Sequence, residues 1–185
     1  MRESHRKRID MPSDLPLVPS EMLLCELPQG RFEGRVAFQH LVRDALAMAA
    51  REGWREIILS DAHFQDWPLG ERAVAESLQA WARSGRRLTI LAGRYDEIIR
   101  GHARFVRWRG TWDHIVTCRA SPAADPQSFP SVIWSPGWVL ERLDPVRCVG
   151  VSGSDTRRRV GMRELLNEWV RSKSSPGFPA TTLGL

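Results

Sequence analysis

The sequence has no long apolar run and no clustered cysteines, and each shortage excludes a class of protein. No apolar run approaches the ~20 residues that a membrane-spanning helix needs. No apolar segment follows the charged residues 1–10, as one would in a secretory signal. The three cysteines, Cys25, Cys118 and Cys148, are far apart and form no C-x-x-C or His/Cys cluster, which argues against zinc and favours reduced core thiols. We therefore expect a cytoplasmic protein without a transmembrane segment, metal or cofactor.

Lysine is almost missing as well. Only two of the 27 basic residues are lysines, Lys7 and Lys173, and the rest are arginines, with a formal net charge of +5. One interpretation is a GC-rich genome that favours arginine codons. The other is a surface that binds anions, because the planar guanidinium grips phosphate bidentately.

Length and composition indicate one domain with tails. The chain has 185 residues, of which 42% are apolar, enough for a substantial core. Residues 1–20 carry charges and three prolines, which predicts a flexible N-terminal tail. We expect a single α/β domain over residues 21–173 and a disordered C-terminal tail over residues 174–185.

The stretch from Glu56 to Gly93 is predicted to be a strand–helix–strand unit. Ile57–Leu59 is a short apolar run of the kind found in strands buried on both faces. Val74, Leu78 and Trp81 recur at the spacing of one helix face. A second buried strand follows at Leu88–Leu91. Such a unit predicts two parallel strands with a right-handed crossover, and a ligand site beyond their carboxyl ends.

The remaining segments complete a mixed sheet. A strand is expected at an edge of the sheet, and two amphipathic helices flank the central unit. A hairpin turns at Ser135-Pro136-Gly137. Together these patterns predict an α/β fold with a mixed, mostly buried sheet of about six strands and helices on both faces. The predicted segments are an edge strand at 21–27, helices at 34–52 and 94–109, strands at 111–119, 132–134, 138–140 and 148–151, and a final helix that begins after Asp155.

Four residues are candidates for catalysis. Asp61, His63 and Asp66 form D-x-H-x-x-D at the carboxyl end of the first central strand, where such groups can act as acid and base or bind a metal. They can equally be a polar loop whose aspartates cap backbone groups. His102 lies on the apolar face of the next helix, where a histidine is commonly a hydrogen-bonded core residue.

Four arginines are candidates for binding. Arg100, Arg104 and Arg107 recur at i, i+4 and i+7 on the predicted helix, and Arg109 follows them. Trp108 and Trp112 stand among the arginines of this region, and arginine beside exposed aromatic rings suits phosphate backbones and stacked bases. A solvated helix face whose tryptophans pack into the core explains the same pattern. The binding interpretation predicts nucleic acid or anionic lipid headgroups as weak, salt-sensitive partners.

The order of these elements resembles one half of a phospholipase-D-like protein. Halves of that family often open with a strand followed by an aromatic residue, a loop, an apolar helix that ends in a basic glycine turn, and a second strand. The resemblance spans roughly residues 34–172 and implies the fold of that family. The segments that carry it are Ile57–Leu59, Phe64, Val74–Trp81, Arg83-Ser84-Gly85-Arg86, Leu88–Leu91, Cys148–Val151 and Met162–Trp169.

The family's catalytic motif is missing from this chain. Active members carry His-x-Lys-x4-Asp, in which the histidine is the phosphoryl nucleophile and the lysine clamps the phosphate. The motif should lie near Ser128–Val132, but no histidine follows His114 and no lysine lies between Lys7 and Lys173. Without the nucleophile, the family's covalent mechanism is not available.

Three functional hypotheses follow from these patterns. The first is a non-catalytic phospholipase-D-like domain, a binding or structural module with a basic surface for phosphate-bearing ligands. The second is a phosphodiesterase or nuclease with a non-standard Asp/His site at Asp61, His63, Asp66 and His102. The third is a plain nucleic-acid-binding domain. Because active members of the resembled family combine two motifs, a half-size chain also raises the expectation of a homodimer.

Overall fold

The computed structural model describes residues 26–83 and 85–179, which contain eight strands and five α-helices. A 3₁₀ turn lies at Asp113–Ile115 and a π-helical turn at Trp169–Lys173. The strands are β1 Gly30–Phe32, β2 Glu56–Asp61, β3 Arg87–Ala92, β4 Val116–Ala120, β5 Ser131–Trp134, β6 Val139–Asp144, β7 Val149–Gly153 and β8 Ser175–Pro176. The helices are α1 Arg35–Glu52, α2 Arg72–Trp81, α3 Asp96–Gly101, α4 Ala103–Thr111 and α5 Thr156–Glu168.

The strands form one mixed sheet in the order β1-β7-β6-β5-β2-β3-β4-β8. As predicted, β2 and β3 are parallel neighbours, with Leu59 opposite Ile90. The predicted hairpin is also present, as antiparallel β5 and β6. The sheet has eight strands rather than about six. Two of the eight strands, β1 and β8, are three and two residues long and lie at opposite edges, too short for a periodic apolar pattern.

Helices cover both faces of the sheet. Ile57 and Leu59 of β2 point into a large core that includes residues of α1, α2 and α4, such as Phe38. Ile58 points to the other face, into a smaller core with Met162 and Leu166 of α5. A central strand that supplies both cores must be apolar at successive positions, which is why β2 lacks the polar alternation of a half-exposed strand.

The predicted helix over residues 94–109 is two helices. His102 separates α3 from α4 with φ −121° and ψ 50°, and its buried ring lies 3.1 Å from the carbonyl oxygen of Phe64. The strand expected from Thr111 begins at Val116 instead, because α4 continues to Thr111 and the 3₁₀ turn follows. Ile98 and Phe105 are buried in the core on either side of the break, although Ile99 is 53% exposed, so the apolar spacing did not reveal the break.

The predicted C-terminal boundary of the domain also differs from the structure. β8 pairs with β4, and the ring of Phe178 stacks on Tyr95 with 5.0 Å between centroids. The ordered domain therefore extends past residue 173, while residues 180–185 and 1–20 lie outside the described ranges. Most of the predicted 21–27 edge strand lies outside them as well. Leu27 is buried in irregular structure, and the edge strand is β1, which follows it. None of the described helices is long and apolar enough to cross a membrane.

Candidate functional site

A cavity of about 610 Å³ opens beyond the carboxyl end of β2. Its floor is polar, with Asp61 at the end of β2, Ser131 at the start of β5 and Arg142 near the end of β6. One rim is apolar and includes Leu143 and Val146. The position follows from the topology, because β2 and β6 run in the same direction with β5 between them. The sheet thus places a ligand-sized cavity where parallel strands commonly bind ligands.

Asp61 is the centre of a buried hydrogen-bond network at this floor. Its Oδ2 accepts from Arg142 Nη2 at 2.5 Å and from the Ser131 hydroxyl at 2.6 Å. Its Oδ1 accepts from the backbone N–H groups of His63 at 3.0 Å and Phe64 at 2.8 Å. Arg142 Nε in turn donates to Ser131 Oγ at 2.7 Å. The carboxylate therefore accepts four hydrogen bonds inside the protein, two at each oxygen.

The network keeps Asp61 ionised. Burial alone would raise the pKa of Asp61, but the charge of Arg142 together with the bonds from Ser131 and the two backbone N–H groups lowers it below its ordinary value. Burial would also lower the pKa of Arg142, yet the nearby carboxylate raises it instead. Because a general base needs a pKa near the working pH, an aspartate held this way is a poor proton acceptor.

Asp66 and the Arg142 guanidinium extend the network toward the cavity mouth. Arg142 Nη1 lies 3.3 Å from Asp66 Oδ2, and its guanidinium stacks over the Phe38 ring at 4.3 Å. Asp66 Oδ1 also pairs with the exposed Arg35 at 2.5 Å. The cavity floor therefore alternates between positive and negative groups, and an anion that entered it would meet Asp61 and Asp66 as well as the arginines.

The two predicted catalytic histidines are not brought together. His63 is exposed at the rim of the cavity. His102 is buried behind the β2–α2 loop and contacts the Phe64 carbonyl, and it does not line the cavity. Phe64 lies between the two histidines' surroundings. It adopts φ 60°, its backbone N–H donates to Asp61, and its carbonyl oxygen contacts the His102 ring. The structure groups Asp61, His63 and Asp66 around one cavity and leaves His102 outside it.

An arginine surface borders the β2–α2 loop next to the cavity. It consists of Arg94, Arg100, Arg104 and Arg107, all exposed. Arg94 and Arg100 share a cleft of about 330 Å³ with His63. Arg104 donates to the Gly70 carbonyl at 3.0 Å, and Arg100 makes a long contact of 3.7 Å with Glu97. Among the described residues, Arg94 and Arg107 have no carboxylate partner within ion-pair distance.

Arg109 does not belong to this surface, contrary to its assignment as a binding residue. It is 5% exposed, pairs with Asp113 at 3.2 Å and lies over the Phe178 ring at 4.8 Å. The break at His102 also means that the arginines do not form a continuous stripe along one helix. Trp108 is buried in the core rather than available for base stacking. The surface therefore offers charge without exposed tryptophan.

Sequence reasoning missed Arg142 and Ser131, the two partners of Asp61. The sequence does contain a signal for Arg142. In β6, Leu140 and Arg142 are two residues apart, so both side chains point to the face of the sheet that carries the large core. A charge at an inward position of a strand demands a buried counter-charge. The partner lies 81 residues earlier, and nothing local in the sequence names it. Within the described ranges, no three His, Cys, Asp or Glu residues form a cluster that could hold a metal ion.

These features define an α/β domain with a polar cavity and a basic surface at one edge of a mixed sheet. No family model and no curated protein matches the chain. Among solved structures, the chain is similar to TrmBL2, an archaeal chromatin protein described as showing a novel mode of DNA binding, with a TM-score of 0.59 and 17% identity. The match covers 88% of this chain and 58% of TrmBL2. At this identity the likeness shows the fold, and this chain matches little more than half of the larger protein.

Proposed function

We propose that this chain is a non-catalytic domain that binds nucleic acid through its arginine surface. The observation that carries the proposal is that Arg94 and Arg104 are exposed beside one loop, that Arg107 is exposed one turn after Arg104 on α4, and that none of the three pairs with a carboxylate among the described residues. Guanidinium groups without a carboxylate partner bind phosphate without first breaking an ion pair. The fold shared with a DNA-binding chromatin protein supports the same class of partner.

Binding of this kind rests on phosphate contacts and counterion release rather than on base recognition. The tryptophans of α4 and its C-terminus are not free, because Trp108 is buried and Trp112 donates to Gln79 at 3.0 Å. Arginines alone contact the backbone and carry no sequence information. We therefore expect weak binding, strongly dependent on salt and indifferent to sequence.

The cavity supports the non-catalytic part of the proposal. We also propose a phospholipase-D-like fold for this chain, in which the family's catalytic centre would lie at the cavity floor. This chain has Ser131 at that position, and the Ser131 hydroxyl donates to Asp61 and accepts from Arg142. A phosphodiester entering the cavity would face three carboxylates, Asp61, Asp66 and Asp144, and would find no buried histidine nucleophile.

Two carboxylates, Asp96 and Glu97, also line the cleft that Arg94 and Arg100 share. The proposal therefore rests on Arg94, Arg104 and Arg107, which have no ion-pair partner among the described residues.

Fluorescence anisotropy with labelled 20-nucleotide single-stranded and duplex DNA tests the proposal. We expect binding at about 50 mM salt that weakens by at least tenfold at about 200 mM. The Arg94→Ala/Arg104→Ala/Arg107→Ala variant should bind at least tenfold more weakly. Its plot of log affinity against log salt should lose about two units of slope for single strands, since each neutralised phosphate contributes about 0.7.

A matched control separates this surface from net charge. Three exposed arginines lie at the amino ends of β2 and β3, at the end of the sheet opposite the cavity. They are Arg55, Arg83 and Arg87. Replacing these three by alanine removes the same charge and should change affinity less than threefold. Equal losses in both variants would mean a diffuse charge effect and would overturn the assignment. Binding to anionic vesicles but not to DNA would replace nucleic acid by a lipid surface as the partner.

A further inference from the structure

Helix α5 covers only part of its face of the sheet. It packs on β5 and on the residues of β2, β3 and β6 that form the smaller core. Within the described residues, no helix lies over the same face of β7 and β1. We call the resulting surface the step surface. On one side of it α5 packs on the sheet, and beside α5 the same face of β7 and β1 is not covered by a helix.

The step surface has an apolar centre with charged residues around it. Its floor comprises Val149 and Val151 of β7, both half-buried, and Glu141 of β6. Its wall is the flank of α5 with Arg158, which shares a cleft with Val151, Arg31 and Asp155. Leu165 lies on the same flank two turns further along and is 38% exposed.

Two opposite charges flank the centre of the floor. Arg31 of β1 is directly opposite Val151, and Val151 is directly opposite Glu141. Paired residues in a sheet point to the same face, so the order across the floor is positive, apolar, negative, with about 10 Å between the two charged positions. Neither Glu141 nor Arg31 has an ion-pair partner among the described residues. Partial burial of a carboxylate costs free energy unless a counter-charge pairs with it, so Glu141 favours a partner that supplies a positive charge.

We propose that the step surface binds a second copy of this chain in a two-fold dimer. A two-fold axis roughly parallel to β7 places Val151 on Val151, and it places Arg31 of each copy over Glu141 of the other. The pattern is therefore complementary to itself, which an isologous interface requires. A purely apolar partner would leave Arg31 and Glu141 unpaired, and a polyanion would leave Glu141 without a counter-charge.

The shape of the step suits the same arrangement. Two sheets that pack face to face are about 10 Å apart, a distance similar to that between a packed helix and the sheet beneath it. The two-fold operation therefore brings the α5 of each copy to the height of the other copy's sheet, beside the open edge of its β1. The wall residue Leu165 then lies against the edge strand, and the interface extends beyond the uncovered face of β7 and β1.

Charge exchange between Arg31 and Glu141 tests the dimer. Sedimentation velocity and light scattering over about 1 to 100 µM protein should show a monomer–dimer equilibrium for the wild type. Arg31→Glu and Glu141→Arg should each weaken the dimer at least tenfold, because symmetry turns two attractive pairs into two repulsive ones. Mixing the two variants should restore dimers, since every pair in the mixed dimer is again opposite in charge. The double variant should also recover wild-type association.

Two further measurements complete the test. Arg171→Glu changes the same charge at an exposed position away from the step and should leave the dimer unchanged. Circular dichroism confirms that each variant is folded. A wild type that stays monomeric up to 100 µM, which is roughly the weak limit of specific association, would overturn the proposal. Variants that dimerise like the wild type, or a mixture that shows no recovery, would do so as well.

Discussion

Replacing Arg142 by methionine tests the buried network at the base of the cavity. Methionine keeps much of the side-chain length and its contact with Phe38, but it removes the donors to Asp61 at 2.5 Å, to Ser131 at 2.7 Å and to Asp66 at 3.3 Å. The side chains of Asp61 and Arg142 are 6% and 3% exposed, so water cannot replace the lost partner without a rearrangement. Asp61 would remain as an uncompensated charge.

The expected loss of stability is large. Removing one partner of a buried ion pair costs about 3–5 kcal/mol, against a total free energy of unfolding of roughly 5–15 kcal/mol for a domain. For a domain of this size the melting temperature should fall by about 6–20 °C. Arg147→Met is the matched control: Arg147 follows β6 directly, its side chain is 82% exposed, and it makes a single 3.9 Å contact with Asp144. The control should cost less than about 0.5 kcal/mol.

The loss should depend on pH in a defined direction. In the wild type the folded pKa of Asp61 is lowered, so its contribution is present above the unfolded value of about 3.9 and is lost below it. In Arg142→Met, burial is no longer opposed by the arginine and the folded pKa rises. The variant then gains stability as pH falls, because protonation removes the buried charge. The deficit against the wild type should therefore be largest at pH 7 and should shrink toward pH 4–5.

Urea unfolding followed by tryptophan fluorescence at pH 7 and pH 5 measures this deficit. Adding Asp61→Asn to Arg142→Met should recover part of the loss at pH 7 and remove most of its pH dependence. The reasoning would be refuted by a deficit below about 1 kcal/mol at pH 7, since a buried unpaired carboxylate costs more than that. It would also fail if the deficit were the same at both pH values.

Three further outcomes are expected. Phe178→Ala should cost about 2 kcal/mol in urea unfolding, because it removes a ring that stacks on a tyrosine and lies under an arginine. Gly150→Ala should destabilise by about 1–3 kcal/mol or more, because a Cβ there would overlap the Glu141 carbonyl oxygen; unchanged stability would contradict that packing. A generic phosphodiester should give no turnover, and a trapped phosphohistidine at His63 or His102 would contradict the non-catalytic proposal.

The central unit of the fold could be predicted from local patterns. Short β-branched runs define β2 and β3, and the spacing of Val74, Leu78 and Trp81 defines the buried side of α2. These signals are reliable because a strand that supplies two cores and a helix that supplies one obey simple periodicities. The polar loop after β2 could also be placed at the ligand-binding end of the sheet, because the carboxyl ends of parallel strands lie at the same end.

The final arrangement of the charged residues could not be predicted this way. The spacing of Arg100, Arg104 and Arg107 suggests one continuous stripe, yet the helix is interrupted at His102, whose ring contacts a loop 38 residues earlier. The same spacing cannot tell that Arg109 is buried, since that depends on Phe178 of the C-terminal segment folding back over it.

Local patterns in the sequence specify the central strands and the buried faces of α1 and α2, because burial on a sheet or along a helix face leaves a periodic trace in neighbouring residues. Which charges meet depends on the tertiary structure. Asp61 and Arg142 are 81 residues apart, and they come together because β5 lies between β2 and β6 in the sheet. An ion pair of this kind depends on distances of a few ångströms between distant segments, and no local pattern of residue types encodes such a distance.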